Sequence, residues 1–395
     1  MKKIMILGGG QYSKQVFHTL ADAGFVTICV DRDPQAPCGA LADVFYPVDI
    51  MDLEGVCAIA RSTHTDGIMA INDFGTRTAS YVAGELSLAG LPIETVDAAN
   101  DKGRMRDVWS KQGLAQPQYR VFKTLEELKE MTEQIGFPCV VKPTESGGGG
   151  RGVSVLRSPD DIAWAYQFAQ PYVRNGRFIV EEYVEGIEMT IESFSYGGEV
   201  TILAMSDKAK PDLRTRVATS LNYPAAFSRV ILKQVRNLVI AAVKAIGVQI
   251  GMAHTEVIVA SDGPKLVELG ARGGGGHIFH TIIEAVSGFN APVQTARILT
   301  GMQVTIPELT DNGAVYRFFT PSRGILKGVR NLEAAALLEG ILDIGLTKNI
   351  GDLVGDFENS LQRTGFVVTK GQTREAAIVV ADRAESMVEF IVDPC

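Results

Sequence analysis

The sequence predicts an α/β fold, and three observations carry that expectation. Short apolar runs alternate with amphipathic stretches through the first hundred residues, the pattern of a parallel sheet with helices on its faces. Residues are 46% hydrophobic and 21% charged, which supplies a large core and argues against bulk disorder. The 395 residues suffice for two or three domains at ~150 residues each.

Several classes are disfavoured at once. A net charge of −8 with a pI near 5.3 lacks the basic footprint of a nucleic-acid-binding domain. Cys29, Cys38, Cys57, Cys139 and Cys395 are odd in number and scattered without a C-x-x-C, against both a disulfide framework and a cysteine zinc site. Lys2 and Lys3 lead straight into an apolar run too short for a secretory signal. No stretch reaches the roughly 18 apolar residues of a membrane span, and the nearest, 238–246, is cut by Lys244. The expectation is a cytoplasmic enzyme without nucleic-acid or membrane partners.

The elements follow in order. Residues 4–7 form a strand ended by Gly8, Gly9 and Gly10. A helix over 15–23 stops at Gly24, and a second strand at 26–30 leads to Asp31. A strand at 67–71 precedes a helix over 76–89. Asp101 introduces a helix through about 112. Thr124 caps a helix over 125–135, with Glu127 in the capping-box position and Gly136 and Pro138 ending it. Residues 139–142 are a strand, and 146–152 a glycine-rich loop. Ser158, Pro159 and Asp161 open the next helix. Strands are expected at 178–182 and 188–196, a strong amphipathic helix over 230–246, and a hairpin from 254–259 and 265–269 turning at Asp262 and Gly263. A strand at 365–369 and a helix over 374–384 close the chain. Boundaries fall near residues 98 and 311, giving units 1–98, 99–310 and 311–395, with a lid over about 117–185.

Candidate chemistry is unevenly distributed. Gly8 to Gly10 with Asp31 superficially match a dinucleotide fingerprint, but its third glycine falls on Ser13 or Lys14, so a tight strand-to-helix turn is the better reading. The loop at Ser146, Gly147, Gly148, Gly149, Gly150, Arg151 and Gly152 lacks the lysine of a Walker A motif. It sits at a hairpin tip, where glycines let backbone N–H groups approach phosphate, with Lys142 at the end of the preceding strand. Glu256 and Glu268 lie one on each arm of the hairpin in apolar strands. A divalent cation would relieve both their burial and their repulsion, and magnesium favours one or two carboxylates plus phosphate. Arg272 and the glycines that follow offer a guanidinium and exposed amides to an oxyanion. His277 and His280, at i and i+3, have no evident third ligand and read as ordinary histidines. Lys208, Lys210, Arg214 and Arg216 read either as a substrate-contacting loop or as a solvated one.

Taken in order, these pieces resemble the ATP-grasp superfamily over essentially the whole chain, with a Rossmann-like preATP-grasp domain first, an ATP-grasp domain with a glycine-loop lid next, and a C-terminal α+β subdomain last. The resemblance implies that Lys102 and Lys142 contact phosphate, along with Ser146, Gly148 and Gly149 of the loop. It implies that Glu181, Glu182 and Val184 form the adenine hinge, that Glu188 holds the ribose, and that Glu256 and Glu268 bind Mg²⁺, with Mn²⁺ able to substitute. Arg272, Gly273 and Gly274 would then stabilise an acyl phosphate and a tetrahedral oxyanion. The closest likeness is to the branch of bacterial L-amino acid ligases, on His254, Thr255 and Glu256, on Glu268 to Gly274, and on Arg363, Thr364 and Gly365. One departure is Gly270, where the family often has a metal-ligating asparagine. The implied reaction joins a small carboxylate to an amine at the expense of ATP. Bicarbonate chemistry, a non-catalytic ATP-binding protein and an NAD-dependent oxidoreductase are the competing readings, and a homodimer is common among proteins of this architecture.

Overall fold

The computed structural model describes residues 1–145, 147–211, 217–355 and 358–395. Its first sheet follows from the opening apolar runs. Strands Val44–Tyr46, Val26–Val30, Lys3–Leu7 and Gly67–Ala70 lie side by side in that order, all parallel. Ile4, Met5, Ile6 and Leu7 are fully buried because helices cover both faces. The glycine triplet makes a tight turn: Gly8 has φ +111°, and a Cβ on Gly9 would stand 2.8 Å from the sulfur of Cys29. Asp31 accepts the Gly9 N–H at 2.7 Å, so its carboxylate closes this turn.

Asn72 caps the helix Asp73–Glu85 through the N–H groups of Phe74 and Gly75, which fixes where Asp73 points. Asp101 does the same for the helix Lys102–Lys111. That helix buries Lys102, Met105, Arg106 and Trp109, one face at i, i+3, i+4 and i+7 carrying two cations inward.

The lid is a four-stranded antiparallel sheet ordered Tyr119–Phe122, Phe178–Glu182, Cys139–Pro143 and Ser154–Leu156. Two helical segments pack on it. The expected capping box of Thr124 and Glu127 is present on Leu125–Ile135. So is that of Ser158 and Asp161, although the chain there makes a 3-10 turn, Pro159–Asp161, before the α-helix Ile162–Ala169.

Eight antiparallel strands make the central sheet. Their order is Gly263–Gly270, Gly251–Ala260, Ile187–Tyr196, Glu199–Ala209, Ser220–Tyr223, Gly313–Phe318, Gly365–Gly371 and Ile341–Leu346. The helix Arg229–Ile246 packs Val235, Val239, Ala242, Val243 and Ile246 towards it and ends at left-handed Gly247. Each buried valine contributes about 1.5–2 kcal/mol. The last three strands come from the C-terminal third, so the sheet runs unbroken across residue 311. A three-stranded sheet of Leu353–Val354, Gly324–Arg330 and Glu389–Asp393 completes the chain. Cys29, Cys38, Cys57 and Cys139 are buried free thiols, and Cys395 is exposed. Among the described residues no helix is long and apolar enough to cross a membrane.

Candidate active site

The hairpin brings its two glutamates together. Glu256 and Glu268 are direct cross-strand partners, with a bulge immediately after Glu256. Like charges so placed repel, and each is met by a lysine. Lys102 Nζ lies 3.0 Å from Glu268. Lys208 Nζ bridges Glu256 and Glu188, the latter at 2.8 Å, and Lys210 also bonds Glu188. Burial opposes ionisation of Glu256, but Lys208, His254 and Lys210 outweigh it and hold the carboxyl well below its ordinary range. Glu188, expected at the ribose, is thus committed to two lysines. Among the described residues no group of three or more acidic, histidine or cysteine side chains gathers as a ready metal cage.

Lys142 reaches the same cleft from the lid. Its Nζ lies 2.7 Å from Glu181, whose other oxygen takes Arg106 Nε at 2.9 Å. Burial pushes the Glu181 carboxyl up, yet Arg106 and Lys142 bring it down to about 2. Arg106 also donates to the carbonyls of Leu266 and Val267, both at 2.9 Å, tying the lid to the hairpin that carries Glu256 and Glu268. Both oxygens of Glu181 are thus engaged by cations, each with a further lone pair left to accept. Glu182 N–H is likewise occupied, by the carbonyl of Gln118 at 2.9 Å. The N–H of Val184 has no backbone acceptor among the described residues.

Arg272 is held from the first domain. Its Nε and one terminal nitrogen each lie 2.8 Å from an oxygen of Asp73, a bidentate pair, and another nitrogen donates to the Gly273 carbonyl at 2.9 Å. The guanidinium still has N–H groups to offer a ligand. Gly274 is a correction to the oxyanion reading. Its N–H donates to Glu192 at 3.0 Å and is not free for substrate, because Glu192 is buried and needs donors. The other donor to Glu192 is His254 Nδ1. Burial disfavours charging His254, but Glu192 and Glu256 raise it to about 9.

Over this cleft lies the glycine loop. Gly147, Gly148, Gly149, Gly150 and Gly152 all have φ between +69° and +75°, the left-handed region in which side chains are strained. A Cβ on Gly147 would stand 2.3 Å from the ring of Phe74, and the Gly149 carbonyl accepts from Ser360 N–H at 2.9 Å. The loop is thus laid against the first and last parts of the chain. Ser146, Arg214 and Arg216 lie outside the described residues.

Asp73, Arg106 and Glu192 were not singled out from the sequence. Signals existed for two of them. Arg106 is i+4 from Lys102 on one helical face, and Glu192 shares a strand face with Glu188.

A cleft lined by paired glutamates, two lysines and an arginine between the central antiparallel sheet and a smaller four-stranded one defines the class, and comparison with known families agrees. Residues 107–278 match the ATP-grasp domain, 1–72 the ribonucleotide synthetase preATP-grasp domain and 317–393 the L-amino acid ligase C-terminal domain 2. The chain thus contains an ATP-grasp domain. Among curated proteins it is similar to formate-dependent phosphoribosylglycinamide formyltransferases. That of Bacteroides thetaiotaomicron is 30% identical over 217 residues, 54% of this chain and 53% of that protein. The match thus spans about half the length of that relative, whereas that of Actinobacillus pleuropneumoniae is 27% identical over 97% of this chain and 95% of its own. The fold is that of L-amino acid ligase from Bacillus licheniformis, with a TM-score of 0.87 at 20% identity over 100% of this chain and 99% of that one. It is also that of N5-carboxyaminoimidazole ribonucleotide synthetase from Thermotoga maritima, with a TM-score of 0.77 at 21% identity and full coverage of both.

Proposed function

We propose that this protein is an ATP- and magnesium-dependent ligase that joins a small carboxylic acid to an amine through an acyl phosphate, releasing ADP and phosphate. The observation that carries the reading is the facing pair Glu256 and Glu268, flanked by Lys102, Lys142 and Arg272 beneath the glycine loop. Two opposed carboxylates supply hard oxygen donors without a third protein ligand, which suits an ion that completes its shell with phosphate and water. Bound there, magnesium, or manganese in its place, would neutralise charge between the β- and γ-phosphates.

The chain's own groups do the rest. Lys102 and Lys142 hold phosphate oxygens; burial pulls both lysines down, Glu268 more than offsets it at Lys102, and Glu181 offsets it only in part at Lys142. Arg272, fixed by Asp73, faces the anionic acyl phosphate and the oxyanion formed when the amine attacks. The glycine loop excludes water, which would otherwise hydrolyse the intermediate. The similarity to L-amino acid ligase and to enzymes named for acting on phosphoribosylglycinamide supports a carboxylate–amine pair as substrates.

The test is phosphate release from ATP and Mg²⁺ with the twenty L-amino acids singly and in pairs, and with formate or bicarbonate in separate arms. Release requiring one acid and one amine establishes the ligase. Release driven by bicarbonate alone, or ATP binding without turnover in any arm, overturns it.

A further inference from the structure

Phe74 faces the lid, and the phosphoryl chemistry gives it no part. It stands in the first turn of the helix Asp73–Glu85, where its N–H donates to Asn72 at 3.0 Å. The next residue, Gly75, lies so close to the first strand that a Cβ there would stand 3.0 Å from that of Leu7. The ring is thus anchored to the core of the first sheet.

Three lid residues from two separate segments converge on it. Gly147 lies against the ring with no room for a Cβ. The Arg151 guanidinium carbon is 5.4 Å from the ring centroid. That of Arg174, between the 3-10 turn Gln170–Tyr172 and the strand Phe178–Glu182, is at 4.6 Å. Arg151 also closes its own loop, donating to the carbonyls of Gly148 at 3.0 Å and Gly147 at 2.6 Å. Two guanidinium charges brought this close repel, and the electron-rich ring face offsets that. Asp73 is near as well: a Cβ on Gly148 would stand 3.3 Å from its carboxylate and 3.8 Å from Arg272. The other tether of the loop, from Ser360 N–H to the Gly149 carbonyl, joins backbone groups only and selects no side chain.

We infer that Phe74 is a positioning residue for the glycine loop: it seats Arg151 and Arg174 and so sets residues 147–151 over the phosphate site, while the adjoining Asp73 holds Arg272 beneath. One turn of the first domain thereby fixes both the group that faces the acyl phosphate and the cover that keeps water from it. The consequence for turnover rests on the ligase reading, whereas the seating of the loop does not.

The experiment reads the two separately. Trypsin must draw the Arg151 side chain into its own pocket, so cutting of the Arg151–Gly152 bond in the full chain reports release from Phe74 with no substrate present. Its rate follows the open population when opening is fast. Phe74→Ala should raise that rate about tenfold, and Phe74→Leu, which restores bulk without a ring face, should leave it at least about threefold above wild type. Arg174→Met should raise it about threefold by itself and add nothing in the Phe74→Ala background, since the ring that joins them is gone. Phe74→Ala or Phe74→Leu within twofold of wild type, or independent multiplication of the two effects, overturns the seat. Equal acceleration at every other lysine and arginine reports unfolding of the Phe74 variants. Arg174→Met, on an exposed side chain, then decides alone, a rate within 1.5-fold of wild type refuting the inference. For the reaction, phosphate release with an acid but no amine, as a fraction of release with both, should rise about fivefold in Phe74→Ala because water enters, with the KM for the acid within about twofold. An unchanged fraction overturns the positioning role. No release from wild type with any acid refutes the ligase instead, and the trypsin series still decides the seat.

Discussion

Glu181→Gln tests whether the cleft is assembled as a charge network. Arg106, Lys142 and Glu181 have side chains only 1%, 5% and 3% exposed, and the carboxylate bonds both cations. Its fall from 4.5 to about 2 corresponds to about 3 kcal/mol of stability. Because the folded value lies below the unfolded one, that contribution is present above pH 4.5 and is lost as pH falls towards 2. Glutamine keeps the shape but leaves two buried cations facing each other, and breaking such a pair typically costs about 3–5 kcal/mol. We expect urea unfolding at pH 7 to show a loss of about 3 kcal/mol. Trp109 is the natural reporter, since the Arg106 guanidinium lies 5.5 Å from its ring. The deficit should shrink as the buffer is taken below pH 4.5, and ADP should restore more stability to the variant than to wild type, its phosphates replacing the missing anion. A loss under about 1 kcal/mol at pH 7, or one of equal size at pH 3 and pH 7, would refute the argument.

Three further outcomes follow from the same geometry. Glu268→Gln should lower substrate-dependent phosphate release by about two or more orders of magnitude with an unchanged circular dichroism spectrum, and unaltered turnover would remove Glu268 from the metal site. Asp73→Asn should free Arg272 from its bidentate partner and lower turnover by about 10- to 100-fold, while ADP affinity measured by calorimetry stays within about threefold. His254 is raised from 6.5 to about 9, so the stability it brings is complete below pH 6.5 and disappears as pH rises through 9, amounting to about 3 kcal/mol. The urea midpoint of His254→Gln should therefore lack the decline that wild type shows between pH 6.5 and 9.

How far the site was legible depended on whether its residues signal locally. The hairpin was readable because apolar arms and an Asp-Gly turn fix its register, and that register sets Glu256 opposite Glu268. The glycine loop was readable because five left-handed positions demand glycine. Lys208 was misjudged for the opposite reason. Glu199–Ala209 is a central strand carrying small and polar residues on both faces, so it gives no period-two signal, and Lys208 read as part of a loop when it points at Glu188 and Glu256. Asp73 shows a third limit. Nothing local marks it, since its partner Arg272 is 199 residues away and meets it only when two domains close on each other. The segment expected to form an adenine hinge fell between these cases. Its strand at Phe178–Glu182 was clear, but Glu181 turns inward to Arg106 and Glu182 spends its N–H on Gln118, pairings set by the lid sheet and not by the hinge sequence. The residues a single sequence exposes are thus those whose neighbours lie within one hairpin or one helical turn. Those that orient them from another domain become visible only once the chain is folded, and it is they that decide which N–H groups and carboxylates remain for substrate.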